Sequence, residues 1–103
     1  MAYFSATGPS FFGDVKPDFV APGYEVLSAW NTQNSAYAKA SGTSMSAPHV
    51  SGLIALLFAY NQDLTFEQVK SILASTADTD SLIPSGRNCG GINEEQFPNN
   101  VYG

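Results

Sequence analysis

Residues 41–52, SGTSMSAPHVSG, place several serines and the only histidine of the chain where a small-residue loop meets an apolar helix. A serine hydroxyl is a poor nucleophile at neutral pH unless an adjacent base takes its proton. Free N–H groups and the dipole at a helix N-terminus stabilise a developing oxyanion. Ser44 is therefore the candidate nucleophile, because it can present both its hydroxyl and its own N–H to a reacting carbonyl.

A serine in this position also has a structural interpretation, since serine side chains commonly cap helix N-termini. The nucleophile hypothesis also requires a base near Ser44, and the chain has only one histidine. His49 follows Ser44 by five residues, which is about 500° of helix and leaves the side chains some 140° apart. We therefore predict that His49 is a packed or hydrogen-bonded helix histidine. With no second histidine, the 103 residues cannot complete a Ser-His-Asp triad.

Composition limits the classes of function. The chain has 103 residues, enough for one small domain at most, and a net charge of −5 that excludes a basic nucleic-acid footprint. Charged residues make up 13%, about half the usual share, which suggests that other protein covers part of the surface. Cys89 is the only cysteine, so it is free or pairs outside the chain. We expect neither a signal peptide nor a membrane span.

The pattern before residue 41 predicts short strands. Residues 2–4 and 18–21 are predicted strands, and residues 25–30 and 36–40 are predicted to pair across an NTQN hairpin loop. Residues 50–59 are apolar except for Ser51 and predict a helix buried on all sides. Pro48 is expected in the first turn of that helix.

A second, amphipathic helix is predicted after Asp63. Thr65 and Gln68 fit a capping box, and residues 66, 69, 72 and 73 form one apolar stripe. Beyond Thr76 the pattern predicts an irregular segment with no further helix or strand. These few elements cannot cover the first helix on all sides, so its apolar surface indicates an interface or, as we favour, a missing piece.

The segment GTSMSAPHVSG resembles the nucleophile motif of the subtilisin-like serine proteases. KPDFVAPG and YFSATGP are similar to segments that precede that motif in the family, and FPNNVYG is similar to a tail found in several of its members. The resemblance covers almost the whole chain, with residues 10–15 and 82–96 the least typical. It implies an α/β fold, a three-layer domain with a mainly parallel sheet and a buried nucleophile helix. Residues 1–103 would be the C-terminal portion of that domain.

Carried over by position, the resemblance makes Ser44 the nucleophile and its backbone N–H an oxyanion donor. The residues that match the structural neighbours of the nucleophile are Gly42, Thr43, Met45, Pro48 and His49. The family's catalytic Asp and His, and its oxyanion Asn, precede the serine in the chain. No residue among the first 43 resembles those motifs.

The leading hypothesis is therefore a serine-type endopeptidase that works through an acyl-enzyme, with this chain supplying the nucleophile segment and inactive alone. It would act on a peptide or protein, need the N-terminal part of the domain, and use no cofactor, nucleic acid or membrane. The family resemblance implies a secreted or extracellular parent protein. The alternatives are a non-catalytic interaction module and a half that complements a separately made N-terminal half.

Two further groups of residues have competing interpretations. Asp78 and Asp80 could hold calcium, but two carboxylates in a polar loop are usually only solvated, so we expect no metal site. Trp30 and Tyr37 could line a substrate groove near the serine, although aromatic residues in strands more often serve packing.

Overall fold

The computed structural model describes all residues 1–103 and contains two strands followed by two helices. Strand β1 is Val26–Ala29 and strand β2 is Tyr37–Ala40. Helix α1 is Thr43–Tyr60 and helix α2 is Phe66–Thr76. Helices and a sheet together agree with the expected α/β class.

Strands β1 and β2 form one antiparallel hairpin, as the sequence predicts. Val26 pairs with Ala40 and Ala29 pairs with Tyr37 at its two ends. The expected mainly parallel sheet and third layer are not found among these elements. The predicted strands at residues 2–4 and 18–21 are also wrong, because neither segment has a partner strand to satisfy its backbone groups.

Helix α1 begins at Thr43, before the start that the expected place of Pro48 in the first turn implies. Its first turns contain small residues whose pattern carries no apolar periodicity. No residue of α1 is buried, and Leu56 has 69% of its surface exposed. Within this chain the helix is not buried, because no other helix or strand packs closely against it, and its burial in a larger domain stays a prediction. Neither helix has the length and hydropathy that crossing a membrane requires.

Helix α2 has the predicted start. The Thr65 hydroxyl accepts a hydrogen bond from the Gln68 amide, and the Gln68 side chain accepts one from the Thr65 amide. Val69 and Leu73 are buried, whereas Phe66, the first residue of the predicted stripe, is exposed. The capping box is thus confirmed, and the apolar stripe is confirmed in part.

The most buried stretch is the irregular C-terminal segment, residues 99–102. The Gly8 amide donates a 2.8 Å hydrogen bond to the Asn100 carbonyl, and the Lys16 amide donates to the Asn100 side chain. These bonds tie the two ends of the chain together. The radius of gyration is nevertheless 15.6 Å, above the roughly 13 Å expected of a compact chain of this length. The two ends of the chain are therefore hydrogen-bonded to each other, whereas α1 is largely exposed to solvent.

An ion-pair cluster links the N-terminal segment to α2. Asp18 accepts hydrogen bonds from Lys16 and, at 2.9 Å, from Lys70. These two ammonium groups hold the pKa of the Asp18 carboxyl below its ordinary value of 3.8. The three side chains are partly exposed, so we expect the cluster to contribute little to stability.

Candidate functional site

Ser44 is the second residue of α1 and is exposed. Gly42 is the N-cap, with an extended backbone and no side-chain cap. Because Gly42 holds the capping position, the interpretation of Ser44 as a helix cap is wrong. The Ser44 hydroxyl makes no hydrogen bond within the chain, and its amide lies in the first turn, where a helix offers no acceptor. Both groups are therefore free to contact a ligand.

The loop before α1 is held by the segment that precedes β1. The Gly42 amide donates a 2.8 Å hydrogen bond to the Gly23 carbonyl. The Glu25 amide donates a 2.8 Å hydrogen bond to the Ser41 hydroxyl. A Cβ on Gly23 would lie 2.7 Å from the Gly42 carbonyl oxygen, so only glycine permits this approach. The two bonds fix where α1 starts and hence where Ser44 projects.

These supporting residues were not recognised as part of the site from the sequence. Pro22-Gly23 is an ordinary turn signal, and Ser41 is one of several serines in its loop, so neither pattern indicates a role at the site. The signal that could have identified them is the glycine on each side of the contact, Gly23 and Gly42, because two backbones that approach closely need residues without Cβ.

His49 is not placed to act as the base for Ser44. Its Nδ1 lies 2.8 Å from the Met45 carbonyl oxygen. Since that oxygen can only accept, Nδ1 carries the proton and donates it to the helix backbone. The prediction of a hydrogen-bonded helix histidine is confirmed.

Pro48 is the sixth residue of α1, not a residue of its first turn as expected. The helix starts earlier than predicted, which moves the proline into the second turn. Proline has no N–H, so the Ser44 carbonyl lacks its usual partner four residues on. Thr43 is the exposed first residue of the helix, and Met45 is half-buried with its sulfur beside Gly42.

A cleft of about 370 Å³ lies between the hairpin and the start of α1. Ser44, Met45, Pro48 and His49 line it from the helix, and Trp30 lines it from the hairpin. Tyr37 does not line the cleft and is 70% exposed. Of the two aromatic residues, Trp30 lies in this cleft and Tyr37 does not, and the substrate groove itself stays a prediction.

The acidic residues of the polar loop do not converge on one point. The Asp80 amide donates a 2.9 Å hydrogen bond to the Asp78 carboxylate, which closes a local turn. No group of three or more His, Cys, Asp or Glu side chains comes together in a way that could hold a metal ion.

Comparison with known proteins places the chain in a family. The model of the subtilase family of peptidases (Peptidase S8) matches residues 1–103. Bacillopeptidase F of Bacillus subtilis is 40% identical over 106 residues, which cover the whole chain and 6% of that protein. Pyrolysin of Pyrococcus furiosus is 40% identical over 85 residues, covering 75% of the chain and 6% of that protein.

Serine protease AprX of Bacillus subtilis is 36% identical over 90 residues, covering 76% of the chain and 20% of that protein. The chain therefore spans from 6% to 20% of the length of these relatives. No solved structure gives a significant match. The match of the family model over the whole chain and the identity to these proteases show that the chain belongs to the subtilase family of serine peptidases.

Proposed function

We propose that the chain is the nucleophile-bearing, C-terminal portion of the catalytic domain of a subtilisin-like serine endopeptidase. One observation carries this proposal. Ser44 is exposed at the second position of α1, with its hydroxyl and amide free, in a cleft between α1 and the hairpin.

In the reaction we propose, a histidine from outside this chain takes the Ser44 proton as Oγ attacks the peptide carbonyl. The resulting oxyanion accepts a hydrogen bond from the Ser44 amide and another from an asparagine outside the chain. The histidine returns its proton to the leaving amine as the C–N bond breaks. Water, deprotonated by the same histidine, then hydrolyses the acyl-enzyme and restores the Ser44 hydroxyl.

The chain alone lacks the base for this chemistry. Its one histidine, His49, is hydrogen-bonded to the Met45 carbonyl and not to Ser44. Removing triad partners strips most of the rate acceleration of a serine protease. We therefore propose that the isolated chain is inactive. In the complete domain, a mainly parallel sheet and a further layer would cover the exposed apolar face of α1.

The test is labelling of Ser44 by a fluorophosphonate probe. One sample is the purified chain. The second is a chimeric domain, in which this chain replaces the matched segment of Bacillopeptidase F behind the part of that protein that precedes it. We expect labelling and peptide cleavage by the chimeric domain, and neither by the chain.

Two variants make the result specific. Ser44→Ala should abolish labelling. Ser51→Ala should preserve it, because Ser51 lies on the same helix and its hydroxyl bonds only to the Ala47 carbonyl. Labelling of the unassisted chain at Ser44, or of the Ser44→Ala chimeric domain, would contradict the proposal.

A second candidate function is a non-catalytic interaction module. The exposed apolar side chains of α1, Leu53, Leu56 and Phe58, favour it, because such surface usually meets another protein. Failure of the chimeric domain to react, with the chimera folded by circular dichroism, would favour the module over the protease. Mixing the chain with the separate N-terminal part tests the complementation hypothesis in the same assay.

A further inference from the structure

One face of the β-hairpin forms the floor of the cleft that contains Ser44. Side chains alternate between the faces of a strand, and directly paired residues share a face. Ser28 pairs with Ala38, and Val26 pairs with Ala40, so these four lie on one face. All four line the cleft, together with Leu27 and Ala29 of the alternate positions, and Trp30 continues the alternation after β1. Trp30 is thus the largest side chain on this face of the hairpin.

The lining of the cleft is mainly apolar, and its polar side chains are Ser28, Ser44 and His49. No Asp, Glu, Lys or Arg lines it. Lys39 alternates with the floor residues and belongs to the opposite face, where it lies 3.8 Å from Glu25. The cleft volume of about 370 Å³ falls within the roughly 300–1,000 Å³ of small-molecule sites. Ala38 and Ala40 leave room that a bulkier residue would fill.

Trp30 has no aromatic partner within the chain, although two other pairs of rings are in contact. It is 46% exposed. A partly exposed indole that shares a cleft with Ala38 and Ala40 can contact a second apolar group from the solvent side. Packing within the chain therefore buries only about half of the Trp30 surface.

We propose that Trp30 determines specificity, by forming with Ala38 and Ala40 a slot for a large apolar side chain of the peptide that Ser44 attacks. This inference rests on the proposed function, because it takes the peptide to be the substrate. Since Ser44 lines the same cleft, the side chain in the slot belongs to a residue close to the scissile bond.

Trp30 is the only tryptophan of the chain, so its fluorescence reports on the slot directly. The full chain is titrated with the capped tripeptides acetyl-Gly-X-Gly-amide, in which X is Phe, Leu, Ala or Asp. We expect the Phe peptide to shift the Trp30 emission to shorter wavelength. Its Kd should be roughly tenfold or more below that of the Ala peptide, because a buried aromatic ring adds apolar contact.

Matched variants distinguish binding in the slot from nonspecific binding of apolar peptides. Ala38→Leu fills the slot and should remove the preference for Phe, and Ala40→Leu provides an independent second test. Tyr37→Ala removes an aromatic ring from the opposite face and should leave the preference unchanged. Equal Kd values for the Phe and Ala peptides, or a preference that survives both alanine replacements, would overturn the inference.

The chimeric domain separates this inference from the proposed function. If it labels at Ser44 but cleaves substrates with Phe and Ala equally well at every position, the slot is wrong and the protease stands. If the peptides titrate selectively but the chimeric domain never labels, the slot stands and the protease is wrong.

Discussion

The amide of Gly42 donates a 2.8 Å hydrogen bond to the carbonyl of Gly23, and this contact ties the turn before β1 to the N-cap of α1. Because Ser44 follows the N-cap by two residues, the contact fixes the position of its hydroxyl and amide. The site thus depends on a close approach of two backbones, which the absence of a side chain on Gly23 permits.

Gly23→Ala should displace the start of α1. The new Cβ would lie 2.7 Å from the Gly42 carbonyl oxygen and 2.2 Å from the Ser46 hydroxyl, and the backbone oxygen cannot rotate away. We expect a loss of about 1–3 kcal/mol in the free energy of unfolding. Labelling of Ser44 in the chimeric domain should slow by about a hundredfold, as for a misplaced reacting group. Urea unfolding and labelling rates measure the two effects.

Gly52→Ala is the control for Gly23→Ala in the isolated chain. A Cβ on Gly52 meets nothing within 4 Å, and the residue lies inside α1. Alanine there should raise the free energy of unfolding of the chain by about 0.5–1 kcal/mol, through helix propensity. Equal stability of the two variants would contradict the role that we assign to Gly23.

Asn99→Ala should be among the most destabilising single changes in the chain. The fully buried Asn99 side chain donates to the carbonyls of Glu94 and Gln96 and accepts from the amides of Val101 and Tyr102. Alanine leaves these four backbone groups without their partner in a buried site. We expect a loss of about 4 kcal/mol or more in the free energy of unfolding, since each unsatisfied group costs about 1–3 kcal/mol.

Asn34→Ala provides the comparison for Asn99→Ala. Asn34 is exposed in the hairpin loop, so its replacement should change the free energy of unfolding by less than about 0.5 kcal/mol. Urea unfolding of both variants checks the difference. A loss at position 99 no larger than at position 34 would mean that the C-terminal network is not a source of stability.

The contrast between the hairpin and the C-terminal segment shows what the sequence can predict. Alternation and turn residues predicted the pairing of β1 with β2, and Thr65 with Gln68 predicted the start of α2. Helix geometry also predicted that His49 would bond within the helix and not to Ser44. All three depend on residues close together in sequence.

The burial of residues 99–102 depends instead on distant partners. Asn100 is buried because the backbone amides of Gly8 and Lys16 bond to it across almost the whole chain. A polar residue gives no apolar signal that would mark it as core. The support of Ser44 by Gly23 is non-local in the same way. Local pattern therefore identified Ser44 as the candidate nucleophile but did not reveal what holds it in place.

The stability of the chain should fall with pH below about 4.5, in part because of Glu94. The Ser85 hydroxyl, together with the Ser85 and Gly86 amides, donates hydrogen bonds to this carboxylate and holds its pKa below the ordinary value of 4.5. A depressed pKa in the folded state gives stability that is present above the unfolded pKa. That stability is lost as the pH falls through the folded pKa.

Glu94→Gln should flatten this acid-side loss, because the amide does not titrate, although the variant should be less stable at pH 7. Glu95→Gln is the matched control, since Glu95 is exposed and its carboxylate accepts no hydrogen bond within the chain. Urea unfolding at intervals between pH 3 and pH 7 measures both slopes (the range is set by the ordinary carboxylate values, about 4). Identical slopes for the two variants would contradict the assignment to Glu94.

Leu56→Gln should affect the isolated chain and the chimeric domain differently. Leu56 is 69% exposed in the chain, so its replacement should change the free energy of unfolding by less than about 0.5 kcal/mol. If the rest of the domain covers α1, as we propose, glutamine would be buried without a partner, at a cost of about 1–3 kcal/mol. Ser44 labelling in the chimeric domain should then fall roughly tenfold, while Leu56→Met, which keeps the apolar surface, should label normally. Equal labelling of the Gln and Met variants would mean that this face of α1 stays in solvent, and the proposal that a larger domain encloses the helix would fail.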